Sequence, residues 1–323
     1  MTAVGMFGKI PSFGDFVRVH NGSPVQRGFE RWLEDSNDVL AECRQQLSTQ
    51  PLGFVVRDED TASMLVGIIV GSHDRVGRTF PLGLFYQVQE RDLCVCGLPL
   101  AMTSELHRLA VVARRAQTRS HADVDQLVRS VPPPAEPDLA ARSHAELHRL
   151  RIVKAATLFR RVYGEGNAPH FGHAVMLRAC APTGRRSASL PLVLEGRVHT
   201  DVELMFALAN VQVMSEGRQP GVALWAVRSH RVLMALGRPD PRLLGLMLDE
   251  QRPARLWPMS TDRVDVAERA RDQLDARQCA LLDDVGSRSA KDFLDAMADT
   301  CPSHRQWTGL SNERRRPWRK KAP

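Results

Sequence analysis

Apolar residues recur at three- and four-residue steps in a segment that begins near residue 25, and this spacing places them on one face of a helix. Ser23 precedes Pro24 and stands three residues before Gln26, a combination typical of a capping box at a helix N-terminus. The apolar positions of this segment are Val25, Phe29, Trp32, Leu33, Leu40, Cys43 and Leu47. We therefore expect an amphipathic helix that packs one face against a core.

Three runs rich in β-branched or aromatic residues follow this helix, separated by polar turns. The runs span residues 53–56, 64–70 and 82–88. They predict neighbouring strands of one sheet, and the polar stretch 57–61 is short enough to join the first two as an antiparallel hairpin. Further helices are expected from about Ser104 and from Ser120.

The second half of the chain has a mixed pattern. Its predicted helices are a long one over 138–163, one capped by Thr200 with Glu203 three residues later, one that begins at Asp240-Pro241, and a helical region over 263–298. Its predicted strands are 174–179, 190–194, 220–227 and 232–236. The expected fold class is α+β, with a mixed or largely antiparallel sheet flanked by helices, followed by a second α+β unit with a helical C-terminal region.

A proline-rich stretch divides these two halves. Residues 132–137 contain prolines that lack a backbone donor and favour extended geometry, which is typical of a linker. Because 323 residues exceed the size at which one core usually stops growing, we expect two domains. The predicted first domain is 1–131 and the predicted second domain is 138–311, followed by a basic, disordered tail at 312–323.

The net charge of +7 comes mostly from this tail, which contributes +5 and leaves +2 for the rest of the chain. A near-neutral body argues against a dedicated nucleic-acid-binding face. The Arg-rich tail with Trp318 fits contact with nucleic acid, acidic lipid or an acidic protein patch, or a role in solubility. The N-terminus does not have the pattern of a secretory signal, and no apolar window reaches the ~20 residues of a membrane helix, so we expect a cytoplasmic protein.

Neither cysteines nor histidines form a recognisable metal site. The six cysteines are scattered and are expected to be free thiols, and Cys94-Val-Cys96 is expected to be structural rather than part of a metal site. His144 and His148 stand four residues apart and could bind zinc on one helix face, with His121, His170 or His173 as further ligands. Nearby arginines and the lack of an HExxH pattern favour solvated histidines. No metal or cofactor is therefore expected.

Two segments near the N-terminus combine glycine, proline and charged residues in ways that specify loops. In 5–16, Gly8, Pro11 and Gly14 define a backbone path anchored by phenylalanines on either side. In 72–81, Asp74 and Gly77 have the spacing of a turn between two strands, and Arg78 follows. We hypothesise that Arg78 forms an ion pair with Asp15 and joins the two loops.

The candidate residues are loop-defining or partner-binding rather than catalytic. They are Gly8, Lys9, Pro11, Gly14, Asp15, Phe16, Ser72, Asp74, Gly77, Arg78, Phe80 and Pro81. A purely fold-determining loop with solvated or paired charges fits the Lys9, Asp15 and Arg78 group as well as a binding site does. The alternative is a hydrolase or phosphate-handling enzyme near these three residues. The chain lacks both the G-x-x-x-x-G-K-[ST] loop and the G-x-S-x-G elbow, which disfavours that alternative.

In spacing and residue type, the segments 5–16 and 72–81 resemble the signatures of the TagF (ImpM-type) family of type VI secretion system-associated proteins. The sequence Phe-Glu-Arg-Trp-Leu at 29–33 is similar as well, and the resemblance covers roughly the first hundred residues. It implies a non-catalytic bacterial accessory protein that regulates secretion-system assembly after translation, with repression as the expected sign. The implied partner is a scaffold component such as a forkhead-associated-domain protein, with no nucleic acid, small-molecule substrate or stable membrane insertion. Some relatives are fused to a metal-dependent phosphatase, but the second half lacks the Asp-Gly-centred carboxylate clusters of such an enzyme.

Overall fold

The structure is a computed structural model. It describes residues 3–20, 22–58, 61–90, 93–166, 168–180, 192–215, 221–226, 229–237, 239–248, 256–261 and 263–300. The strands are β1 (Gly5–Gly8), β2 (Val17–Val19), β3 (Leu52–Asp58), β4 (Ser63–His73), β5 (Thr79–Gln89), β6 (Leu192–Arg197), β7 (Val222–Ala226), β8 (Arg231–Leu236) and β9 (Leu256–Pro258).

The helices of the first half are α1 (Pro24–Glu42), α2 (Leu98–Ala101), α3 (Thr103–Ala116) and α4 (His121–Arg129), and a 3-10 turn at Val95–Gly97 precedes α2. Those of the second half are α5 (Glu136–Leu147), α6 (Arg149–Ile152), α7 (Ala155–Tyr163), α8 (Ala168–Cys180), α9 (Asp201–Met214), α10 (Leu243–Leu248), α11 (Val264–Arg271), α12 (Ala276–Asp283) and α13 (Ala290–Ala298).

The described strands form one sheet in the order β2-β1-β5-β4-β3-β7-β8-β6-β9. Neighbouring strands are antiparallel except β6 and β9, which are parallel. Helices cover both faces of the sheet. Successive residues of a strand point to opposite faces, so neighbouring residues pack in different cores. Phe54 of β3 packs in one core with Phe29 of α1, whereas Val55 packs in the other with Phe206 of α9. The predicted α+β class with a largely antiparallel sheet is confirmed.

Local chemistry explains the elements of the first half. The Ser23 hydroxyl accepts a hydrogen bond from the Gln26 amide, and the Gln26 side chain accepts one from the Ser23 amide, which completes the predicted capping box of α1. Phe29, Trp32 and Leu33 form the buried face of this helix. The three predicted strands correspond to β3, β4 and β5, and β3 and β4 form the predicted antiparallel hairpin.

Two predictions for the second half are wrong. Residues 174–179 belong to α8 rather than to a strand. A short apolar run fits a buried helix as well as a buried strand, and α8 packs against α7, α9 and α11. The long helix expected over 138–163 is divided into α5, α6 and α7. Lys154 has extended backbone geometry and forms a bridge with Ser289, so a tertiary contact interrupts the helix.

The strands predicted at 190–194, 220–227 and 232–236 correspond to β6, β7 and β8, with residues 190, 191, 220 and 227 outside the described ranges. The Thr200 hydroxyl accepts a hydrogen bond from the Glu203 amide at the start of α9. The Glu203 carboxylate accepts one from the His199 amide instead of the Thr200 amide that a capping box would use. The region 263–298 is helical, as α11, α12 and α13.

The two halves of the chain share this sheet. Strand β3 pairs with β7, where Phe54 lies opposite Leu224. The indole N–H of Trp32 in α1 donates to the carbonyl of Asp240, 2.9 Å away. Helix α5 begins at Glu136, inside the predicted linker. The division into domains 1–131 and 138–311 stays a prediction. The sheet contains strands from both of these predicted domains. The predicted tail at 312–323 lies outside the described residues.

Candidate functional site

The two glycine-containing segments meet at one end of the sheet because the strands next to them are paired. The first segment leaves β1 at Gly8 and leads to β2, and the second is the turn that joins β4 to β5. Strand β1 pairs with β5, with Phe7 opposite Gly83. Gly8 has a φ of 144°, and a Cβ there would lie 2.3 Å from the carbonyl oxygen of Pro81. This close approach sets the start of the first loop against the second segment.

Asp74 is the centre of the site. Its side chain is buried, and Oδ1 accepts hydrogen bonds from the amides of Val76 at 3.0 Å and Arg78 at 2.9 Å. Oδ2 accepts from Lys9 Nζ at 3.1 Å and from Arg78 Nε at 2.6 Å. The backbone closes the same turn, since the Gly77 amide donates to the Asp74 carbonyl, 3.0 Å away. Both carboxylate oxygens are therefore occupied by donors from the two segments.

The pKa of Asp74 reflects these contacts. Burial by itself would raise the pKa of the carboxyl group, but the Arg78 amide, the Lys9 ammonium, the Arg78 guanidinium and the Val76 amide favour the ionised form and together hold the pKa well below its ordinary value. The carboxylate is therefore a permanent anion at neutral pH. Lys9, which is also buried, serves as one of its counter-charges.

Two further hydrogen bonds connect the loops directly. The Arg75 amide donates to the carbonyl of Phe13 at 3.0 Å, and Arg78 Nη2 donates to the carbonyl of Gly14 at 2.9 Å. The hypothesised ion pair between Asp15 and Arg78 is wrong. Within the described residues Arg78 pairs with Asp74, which the turn already places beside it. The exposed Asp15 carboxylate accepts from the Phe16 amide at 2.7 Å.

Aromatic rings pack against the end of the first loop at Phe16. Phe16 stacks on Phe7 with 5.3 Å between ring centroids and meets Phe80 edge-on at 4.8 Å. Lys9 Nζ lies 5.2 Å from the centroid of the Phe16 ring, and the Arg18 guanidinium lies 5.4 Å from it. Both distances are in the range of cation–π contacts. The exit of the loop is therefore held by packing at Phe16 rather than by the charge of Asp15.

The comparison with known protein families finds a similarity for this part of the chain. The model of the TagF N-terminal domain, described as Type VI secretion system-associated, matches residues 5–132. Residues 5–132 are therefore similar to TagF N-terminal domains, and we call them the TagF N-terminal domain. Both loops and α1 to α4 lie inside the TagF N-terminal domain.

Comparison with solved structures finds the crystal structure of PA0076 from Pseudomonas aeruginosa PAO1, which is 19% identical in sequence. The similarity covers 44% of this chain and 78% of that chain, with a TM-score of 0.36. No curated protein matches the chain.

A groove of about 520 Å³ lies beside the second loop of the TagF N-terminal domain. Its walls come from the end of α1 with the residues that follow it, the end of β4, the start of β5 and the end of α3; they include Arg44, Gln45, His73, Thr79, Phe80 and Gln117. Ser72 also lines the groove, and its hydroxyl accepts a hydrogen bond from the Gln117 amide at 3.2 Å. The described lining contains no carboxylate, so it does not contain the pair of acidic groups of a carboxylate-based hydrolase.

The predicted site residues separate into three groups. Hydrogen bonds join Lys9, Gly14, Asp74 and Arg78, and Gly77 closes their turn. The residues that pack or approach closely around them are Gly8, Phe16, Phe80 and Pro81. Within the described residues, the side chains of Pro11, Asp15 and Ser72 form no hydrogen bond with Lys9, Asp74 or Arg78. Sequence reasoning missed the Arg75 to Phe13 hydrogen bond, which uses backbone atoms and so has no residue-type signal.

The other candidate residues lie away from these loops. His144 lies in α5 and His148 follows this helix, and no group of three or more His, Cys, Asp or Glu side chains in the described ranges is arranged to hold a metal ion. Cys94 and Cys96 lie at a 3-10 turn and not in a strand. Their sulfur atoms are 3.3 Å apart. None of the described helices is long and apolar enough to span a membrane.

Proposed function

We propose that this protein is a non-catalytic cytoplasmic accessory factor that regulates assembly of the type VI secretion system after translation. In this proposal the two joined loops of the TagF N-terminal domain bind a scaffold component such as a forkhead-associated-domain protein, and binding represses assembly. The family match supports the secretion setting. The regulatory role, its sign and the partner are parts of the proposal.

The observation that carries the proposal is the exposed apolar tip of the second loop. Val76 is 68% exposed, although it lies between Asp74 and Arg78, whose contacts hold the turn in one conformation. A side chain presented on an ordered turn loses little conformational entropy when it is buried by a partner. The exposed Arg75 and Arg78 flank it, and arginine is enriched in protein interfaces. The surface is thus suited to a protein partner with an apolar pocket.

The arrangement of charge disfavours the alternative of a phosphate-handling enzyme. Lys9 and Arg78 are the cations that such a site would use, but both contact the buried carboxylate of Asp74. A phosphate would have to compete with that carboxylate for both of them. Asp15, the third residue of that alternative, is exposed and forms no ion pair with either cation in the described structure.

Binding to the forkhead-associated-domain protein encoded with the same secretion system tests the proposed surface. The informative variant is Val76→Asp, and the matched control is Val264→Asp in α11, because Val264 has the same 68% exposure. We expect Val76→Asp to weaken binding by about tenfold or more, in the range of an interface anchor, with an unchanged melting temperature. Val264→Asp should change neither. Equal affinity of Val76→Asp and wild type would contradict the proposed surface.

The sign of regulation is tested separately in cells. Deletion of the gene should increase effector secretion and sheath assembly, and re-expression of the wild-type protein should reverse both. A Val76→Asp protein that accumulates to wild-type levels should fail to reverse them. Decreased secretion in the deletion strain would contradict repression without bearing on the binding surface.

A further inference from the structure

Cys94 and Cys96 are two free thiols in direct contact. The 3-10 turn at Val95–Gly97 brings their sulfur atoms to 3.3 Å, although only one residue separates them in the chain. Both are almost fully buried, with Cys94 8% exposed and Cys96 3% exposed. The other free cysteines whose surroundings are described are Cys43, which is exposed, and Cys279, which is partly buried.

The turn that carries the two thiols is clamped by α5, the first helix after the TagF N-terminal domain. The Cys94 amide donates to Ser143 Oγ at 3.1 Å, and the Gly97 amide donates to the Cys94 carbonyl at 3.0 Å. A Cβ on Gly97 would lie 2.2 Å from the carbonyl oxygen of Ser143, so the turn and α5 are in close backbone contact. The contact holds the thiols together and places them where the TagF N-terminal domain meets the rest of the chain.

The surroundings make the two sulfur atoms chemically different. The hydrogen bond between the two sulfur atoms lowers the pKa of the Cys94 thiol, in spite of its burial. The same contact, together with burial, raises the pKa of Cys96. A thiolate reacts with oxidants and a thiol does not. Because Cys94 is also the more exposed of the two, we assign it as the nucleophile of the pair.

We propose that Cys94 and Cys96 are a redox modification site, which a hydroperoxide converts reversibly into an intramolecular disulfide. The Cys94 thiolate attacks one oxygen of hydrogen peroxide, the O–O bond breaks, and Cys94 sulfenic acid and hydroxide form. The Cys96 sulfur then attacks Cys94 Sγ and displaces the second hydroxide as the S–S bond forms. With the two thiol protons, the hydroxides become two waters, so the peroxide is reduced and the dithiol is oxidised. A thiol reductant reverses the reaction by exchange.

The geometry brings the sulfur atoms close to bonding distance. A disulfide is about 2.0 Å long, so the sulfur atoms have to approach by about 1.3 Å from their present contact. Because the fold already confines both thiols to one turn, the second step is intramolecular and competes with any external thiol. The approach of the sulfur atoms moves the turn that contacts Ser143. Oxidation therefore changes the contact between α5 and the TagF N-terminal domain.

The test uses the folded full-length protein and hydrogen peroxide. Mass spectrometry of the peptide that contains both cysteines should show a loss of about two mass units that dithiothreitol reverses. The quadruple variant C43S/C180S/C279S/C301S should give the same product. If that variant does not fold, peptide mapping of the oxidised wild-type protein gives the result. Recovery of Cys94 and Cys96 as thiols, while Cys43 is oxidised, would overturn the proposal.

Single substitutions test the separate roles. In Cys96→Ser the sulfenic acid of Cys94 should persist and react with dimedone, whereas Cys94→Ser should give little dimedone adduct at Cys96. Equal labelling of the two variants would overturn the assignment of Cys94 as the nucleophile. Melting curves of both variants establish that they are folded.

A glutathione redox buffer tests whether the fold promotes the bond. At one ratio of reduced to oxidised glutathione, the disulfide fraction should be higher in the folded protein than in the urea-unfolded chain. An equal or lower fraction in the folded protein would overturn the claim that the turn favours formation of the disulfide. None of these measurements depends on the secretion partner.

Discussion

Lys9 and Asp74 lie 65 positions apart in the chain, and the ammonium nitrogen of Lys9 is 3.1 Å from Oδ2 of Asp74. Both side chains are buried, and Asp74 also accepts hydrogen bonds from Arg78. A buried carboxylate that holds donors from two loops makes the position of one loop depend on the other. The two glycine-containing segments therefore behave as one structural unit.

Lys9→Met should destabilise the protein because it removes one counter-charge of a buried carboxylate. A lost hydrogen bond between charged groups corresponds to a decrease of about 1–3 kcal/mol in the free energy of unfolding. Asp15→Ala is the matched control in the same loop, since Asp15 is exposed, and it should stay within about 0.5 kcal/mol of wild type. Urea denaturation measures both. A larger loss in Asp15→Ala than in Lys9→Met would restore Asp15 as the anchor of the loop.

Gly8→Ala should be more damaging than Gly77→Ala. Gly77 has a φ of 88° with open space around its Cα, so alanine there meets only backbone strain, about 1–2 kcal/mol. Gly8 has a φ of 144°, and an added Cβ would also lie 2.3 Å from the Pro81 carbonyl oxygen. Thermal melting of the two variants gives the order. If Gly77→Ala melts at the lower temperature, steric contact with β5 does not control the first loop.

Acid should remove the stabilisation that the Asp74 carboxylate provides. The pKa of Asp74 in the folded protein is below its value in the unfolded chain, which is about 3.9. The contribution of the carboxylate to stability is therefore complete above about pH 4 and is lost progressively as the pH falls from there toward the folded pKa. Compared by urea unfolding, wild type should be more stable than Asp74→Asn at pH 6, and the difference should shrink below about pH 4. A constant difference would show that Asp74 acts through its shape alone.

His173 should make the protein less stable in mild acid. Burial, together with the neighbouring His170, lowers the pKa of His173 to about 3, although Asp275 acts in the opposite direction. Between about 6.5 and 3, the unfolded chain binds a proton that the folded chain does not, so stability falls as the pH decreases through this range. The slope for one such group is about 1.4 kcal/mol per pH unit. His173→Leu should reduce the pH dependence of the unfolding free energy measured with urea. An unchanged slope would show that groups other than His173 cause the pH dependence of stability.

The first half of the chain was predictable because its elements follow from neighbouring residues. The capping box of α1 is formed by Ser23 and Gln26, three positions apart, and β3 and β4 are joined by a short polar turn. The Asp74 turn was predicted for the same reason, since its Asp and Gly lie within four residues of each other. The partner of Arg78 was not predicted correctly. Asp15 and Asp74 are the same residue type, and only their distances from Arg78 in the folded protein distinguish them.

Sequence by itself determined the local structures and the two loop motifs, because capping, turn formation and hydrophobic periodicity act over a few residues. Only the tertiary structure decided which groups from distant positions meet. The β1–β5 pairing brings Lys9 to Asp74, the Lys154–Ser289 bridge divides a helix, and the β3–β7 pairing makes one sheet of both halves. These contacts depend on strand order and register, which arise from packing of the whole chain and are not properties of any short segment.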